Sequence, residues 1–204
     1  MSRVTACPAT SPWWRRGRRP DVVKLVGCSV FRTEFEHVMG PETAVDWLPA
    51  GLHVSEERLG EAISEALAGA TGSAACLYGM CYPDIDALFK AHGARRLPAR
   101  TCGGGEAFLS PDARAAFGDR AFIITPGYLR EWRSIYVDGM GWDEIDGRIN
   151  FGMYDVIVLL DFGLEPIDDM DVLEFFDFTQ TPIDIVPADL GWFKERVADL
   201  VAAG

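Results

Sequence analysis

Short continuous apolar runs along the chain exchange with longer stretches whose apolar residues recur three or four apart. This is the pattern of strands alternating with helices. Val22-Val23-Lys24-Leu25-Val26-Gly27 predicts a buried first strand. Phe31, Phe35 and Val38 fall at helical spacing up to Met39, and Gly40-Pro41 stops that helix. Ala44 to Leu48 reads as a second strand, and Ser55 as the N-cap of a helix carrying Leu59, Ile63 and Leu67. Ala74 to Tyr78 is a third strand. A helix from Pro83 to His92 and a weak fourth strand from Arg96 to Ala99 follow.

Beyond that point Glu106 to Phe117 reads as helical with a break at Ser110-Pro111, and Ala121 to Thr125 as a fifth strand. Tyr128 to Val137 and Glu144 to Tyr154 are predicted helices, and Val156 to Asp161 is the clearest buried strand. Two more helices, Asp169 to Phe178 and Asp189 to Ala203, flank a short strand from Ile183 to Val186. This alternation predicts an α/β three-layer sandwich with a mainly parallel, Rossmann-like or flavodoxin-like sheet.

Composition narrows the class. The 204 residues are 49% hydrophobic and 25% charged, the mixture of an ordinary globular protein with a real core. The longest apolar run, Val156 to Leu160, falls far short of the ~20 residues that span a bilayer, so no membrane association is expected. The formal net charge is −12, and the charge is uneven. Residues 1–20 hold Arg3, Arg15, Arg16, Arg18 and Arg19 without an acid, and read as a disordered basic tail or an upstream start. Residues 21–204 read as one α/β domain. Residues 138–189 hold fourteen acids against Arg148 alone, which disfavours nucleic acid and leaves a solvated face or a docking surface. No export signal is recognised, so a reducing cytoplasm is expected, with the cysteines as thiols or metal ligands.

Parallel α/β sheets bind ligands beyond the carboxyl ends of their strands, so chemistry is sought there. Cys28 follows the first strand, Cys81 the third, in Tyr78-Gly79-Met80-Cys81, and Cys102 the fourth, in Arg100-Thr101-Cys102-Gly103-Gly104-Gly105. His53 follows the second. Cys76, inside the third strand, reads as a small buried hydrophobe, and Cys7 has no role. In a 2-1-3-4 strand order the three cysteines span roughly 10 Å, because neighbouring strands lie ~4.8 Å apart. Inward-leaning loops could then share one ion or cluster, with His53 as a candidate fourth ligand. No C-x-x-C occurs, and chance placement of cysteines at strand ends is the competing reading. Gly103 and Gly104 before a helix could cradle an anion, although neither a P-loop nor G-x-G-x-x-G is present.

The chain resembles the family known as domain of unknown function 1638. The resemblance is carried by Leu25-Val26-Gly27-Cys28, Glu34, Leu52-His53, Tyr78-Gly79-Met80-Cys81 and Pro98-Ala99-Arg100-Thr101-Cys102. Thr125-Pro126-Gly127-Tyr128 with Trp132, and Leu160-Asp161-Phe162-Gly163, extend it. It covers about residues 22–203. Thr101 stands where the family usually has aspartate, and Ala99 intervenes between Pro98 and Arg100. Members often appear beside corrinoid and methyl-transfer systems, so the resemblance implies metal or cofactor handling.

The resulting expectation is a site of Cys28, Cys81 and Cys102 with His53, holding zinc or an iron–sulfur cluster. Tyr78, Gly79, Arg100, Gly103, Gly104, Thr125, Gly127 and Asp161 line it, and a corrinoid or methyltransferase-type protein is the expected partner. Two alternatives stand beside it. One is a non-catalytic accessory protein that docks a partner enzyme through its acidic surface. The other is a thiol enzyme with His53 as base.

Overall fold

The computed structural model describes residues 23–70, 72–99 and 105–202. The basic tail, and with it the expectation for residues 1–20, lies outside them. So do Arg100, Thr101, Cys102, Gly103 and Gly104.

Seven strands, all paired in parallel among the described residues, form two sheets rather than the single sheet expected. The first holds β1 (Lys24–Cys28), β2 (Asp46–Leu48), β3 (Ala74–Leu77) and β4 (Ala94–Arg96) in the order β2-β1-β3-β4, the arrangement on which the cysteine spacing above depends. The second holds β5 (Ala121–Ile124), β6 (Val156–Asp161) and β7 (Ile183–Pro187) in that order. Between and around them run α1 (Arg32–Met39), α2 (Glu56–Leu67), α3 (Ile85–Ala91), α4 (Gly105–Phe108), α5 (Pro111–Ala115), α6 (Pro126–Arg133), α7 (Glu144–Phe151), α8 (Asp169–Thr179) and α9 (Gly191–Ala202).

Local chemistry accounts for the helix starts. Ser55 Oγ accepts the Arg58 N–H at the head of α2, and Leu59, Ile63 and Leu67 are its buried stripe. Thr125 Oγ1 accepts the Tyr128 N–H at the head of α6, where Pro126 costs no hydrogen bond. Asp143 and Asp146 close a capping box on α7.

The fourth strand lies earlier than its apolar pattern suggested. Leu97 N–H still bonds the Cys76 carbonyl. Arg96 Nη1 then turns back onto the carbonyls of Leu97 and Ala99, both at 2.8 Å, and holds the chain off the ladder. The helix predicted to run to Val137 instead ends its α-helical part at Arg133 and continues as one π-helical segment, Ser134–Gly139. Such segments recur at functional sites.

The two sheets meet at their carboxyl ends. Phe31, just after β1, stacks on Phe108 and Phe193, with ring centroids 5.9 and 6.3 Å away. Phe108 lies 5.0 Å from Phe162, just after β6. Helix α9 crosses back to the first sheet, where Arg95 Nη2 donates to the Leu200 carbonyl at 2.8 Å. A second aromatic cluster, Trp132, Tyr136, Phe151, Phe175 and Phe178, packs α6, α7 and α8 together. Among the described residues no helix is long and apolar enough to cross a membrane.

Candidate functional site at the seam of the two sheets

Register places the cysteines. Gly27 pairs with Leu77 across β1 and β3, so Cys28 and Tyr78 are the next residues along the same edge. Cys28 also pairs with Leu48 of β2, after which Pro49 leads into a 3-10 turn, Ala50–Val54, that carries His53. Cys28 is buried, and Cys81, three residues beyond Tyr78, is half-buried. Tyr78 and Gly79 are buried as well. Cys28 is the last residue of β1, and Cys81 and His53 lie a few residues past the carboxyl ends of its neighbours β3 and β2. The chain leaves β4 at the same edge, and Cys102 lies outside the described residues. Cys76 pairs with Val26 and Arg96 inside the sheet, is fully buried, and has its thiol pushed up to about 12 by burial.

His53 Nδ1 lies 2.6 Å from the Ala50 carbonyl oxygen, which only accepts, so Nδ1 carries the proton and Nε2 keeps its lone pair. Burial holds the ring's pKa below the usual histidine value, against the opposing effect of the Ala50 bond. Among the described residues, no three His, Cys, Asp or Glu side chains are grouped to hold a metal ion. Cys28, Cys81 and His53, three of the four expected ligands, are thus not brought together to hold an ion, and Cys102 lies outside the described residues.

The second sheet supplies the other wall. Thr125 is buried with its hydroxyl spent on the helix cap. Asp161 Oδ1 accepts the Gly163 N–H at 2.8 Å, so it caps the turn after β6. Gly127 is buried against the turn after β1, where an added Cβ would stand 2.2 Å from the Val30 carbonyl oxygen. Likewise a Cβ on Gly51 would stand 2.7 Å from the Ser134 carbonyl oxygen. The turns after β1 and β2 thus rest directly on α6 and the π-helical segment.

Polar bonds stitch the same seam. Ser29 Oγ donates to Glu131 Oε1 at 3.3 Å and accepts the Ala50 N–H at 3.1 Å. Ser134 Oγ donates to Glu131 Oε2 at 2.8 Å. Arg130 reaches Thr33 Oγ1 at 2.9 Å and Glu165 Oε2 at 3.0 Å. Beside them Glu34, in the first turn of α1, is only 1% exposed. Burial raises its pKa to about 7, opposed by its own backbone N–H and by Arg130, and reinforced by Glu165. Sequence reasoning named Glu34 only through the family resemblance, and it missed Ser29, Arg130, Glu131 and Ser134. The one signal for the last two is the helical i, i+3 spacing of Glu131 and Ser134 directly after Thr125-Pro126-Gly127.

No curated protein and no solved structure matches the chain. A family model does match, over residues 47–197, a span that contains His53, Cys81, Cys102, Thr125, Gly127 and Asp161 and begins after Cys28 and Glu34. The chain belongs to the family described as a protein of unknown function, DUF1638.

Proposed function

We propose that this protein carries a thiolate-ligated metal site, with Cys28, Cys81 and Cys102 as sulfur ligands and His53 as a nitrogen ligand. Zinc and an iron–sulfur cluster both suit such a donor set. The role would be cofactor handling, methyl transfer or redox chemistry, working with a corrinoid or methyltransferase-type partner. What supports the reading most is the register of the first sheet, which sets Cys28, the Tyr78–Cys81 loop and the His53 turn on one edge. The Nδ1–H bond to the Ala50 carbonyl supports it further. Metal-binding histidines commonly donate their other N–H to such an acceptor, which leaves Nε2 for the metal. A bound cation would stabilise three neighbouring thiolates and release protons on binding. With the three cysteines alone on the ion, an open fourth position would leave room for a substrate thiol or methyl carrier.

The test is metal and sulfide analysis of anaerobically purified full-length chain. Cys28→Ser, Cys81→Ser and Cys102→Ser should each lower occupancy sharply, and Cys76→Ser should not. Equal metal content in all four variants would end the proposal.

A second reading, an accessory protein, is favoured by one observation. Ile149 on α7 and Met170 and Leu173 on α8 are 71%, 60% and 54% exposed within the acidic 138–189 region. Apolar residues framed by acids suit a partner with apolar anchors flanked by Lys or Arg. Absence of metal from every preparation would favour this second reading.

A further inference from the structure

Among the described residues Glu34 is the only charged side chain that is fully buried. Its Oε2 is shielded from solvent and has no hydrogen-bond partner among the described residues. A buried carboxyl oxygen left unpaired is costly, and native proteins keep such groups where strain or function requires them. Its position gives the anomaly meaning. Glu34 sits one residue after Thr33, which Arg130 of α6 grips, and a few residues after Val30, against which Gly127 is pressed. Those contacts close the two sheets over the edge that carries Cys28.

We propose that Glu34 is a proton-operated latch on this seam: with its proton it lets α1 lie closed against α6, and without it the seam loosens and the edge beyond β1 becomes reachable. The proposal stands on the seam contacts and the unpaired oxygen, and it holds whether or not a metal binds there.

The groups around Glu34 favour opening on ionisation. From α6, Arg130 is the attractive charge, but its guanidinium is committed to Thr33 and Glu165. Glu131 of the same helix is a carboxylate held by Ser29 and Ser134. From the loop after β6, Glu165 adds a second negative charge. On α1 itself Arg32 is paired with Glu36 at 2.8 Å and brings no free cation. His53, on the turn that packs against Ser134, is held toward its neutral form. An ionised Glu34 thus meets one engaged cation, the Glu165 carboxylate and a dry interior. Burial already places its titration near neutrality, so a modest pH change works the latch.

The experiment is amide hydrogen exchange on the full-length chain at pH 6 and pH 8, corrected for intrinsic exchange rates, in wild type and Glu34→Gln. Residues 29–35 and 126–134 report on the seam, and α2 serves as the reference. An opening driven by one ionisation changes by up to a factor of ten per pH unit, so wild-type seam protection should fall roughly tenfold from pH 6 to pH 8. Glu34→Gln, which cannot ionise, should show the same seam protection at both pH values, at or above the wild-type level at pH 6. If that variant does not fold, carbon-13 NMR of the Glu34 carboxyl in wild type decides, since its titration midpoint must coincide with the loss of seam protection. Seam protection that is constant with pH, or that rises because Arg130 swings from Glu165 to Glu34, overturns the proposal. Loss of protection at a different midpoint, or with the same pH dependence in Glu34→Gln, overturns it equally.

Discussion

Gly127 and Val30 touch backbone to backbone: a β-carbon on Gly127 would fall 2.2 Å from the carbonyl oxygen of Val30. The first turn of α6 can lie on the turn after β1 only because residue 127 has no side chain. Gly127→Ala must therefore push the two sheets apart. Overpacking of this kind costs about 1–3 kcal/mol, and for a chain of this size that is roughly a 3–10 °C fall in unfolding midpoint. Thermal unfolding by circular dichroism checks it, and an unchanged midpoint would show that the seam is not tightly packed.

Gly60 is the counterexample, placed inside α2, where an added Cβ meets nothing nearer than the Tyr82 hydroxyl at 3.7 Å. Gly60→Ala should stabilise the protein by about 0.5–1 kcal/mol through backbone entropy and helix propensity. Chemical denaturation of the variant beside wild type measures this, and destabilisation would mean that α2 packs more closely on Tyr82 than described.

The raised Glu34 pKa fixes the sign of a stability change with pH. Below about 4.5 the group is protonated folded or unfolded and costs nothing. As pH rises toward 7, the unfolded chain loses the proton while the folded chain keeps it, so stability falls. Above 7 the full cost remains, on the order of 3 kcal/mol from a shift of this size. The stability difference between Glu34→Gln and wild type should therefore grow by about this amount in the variant's favour between pH 4.5 and pH 8. Urea titrations across that range test it, and a difference that does not vary with pH would place Glu34 in contact with water.

Cys76 should be chemically silent. With its thiol pushed up to about 12 and no exposure, it should resist alkylation in the native protein at pH 8. Cys76→Ser should cost about 1–3 kcal/mol for a buried hydroxyl between Val26 and Arg96. Mass spectrometry of the alkylated native chain gives the first answer and denaturation the second.

Most strands and several helices were legible because they rest on local signals such as the Val156 to Leu160 run and the Ser55 cap, whereas Thr125 reads as the end of a strand and instead caps α6, which starts two residues before the predicted helix. The strand-end placement of Cys28 and Cys81 followed once those strands were recognised. The split into two sheets was not legible, since it depends on which strand edges meet, and nothing local in β4 or β5 states that. The π-helical segment also escaped, because its winding is enforced from outside. Gly51, in the turn after β2, lies so close that an added Cβ would stand 2.7 Å from the Ser134 carbonyl oxygen. Glu34 was hidden for the same reason. Flanked by Thr33 and near Glu36, it reads as the solvent face of a helix, and its burial comes from tertiary packing that no local pattern states.

The most direct measurement for the central claim is metal and acid-labile sulfide per chain in protein purified without oxygen, compared between wild type and the Cys28→Ser, Cys81→Ser, Cys102→Ser triple variant. Wild type should hold stoichiometric zinc, or iron with sulfide, and a triple variant that still folds should lose nearly all of it. The same substoichiometric metal in both proteins would contradict it.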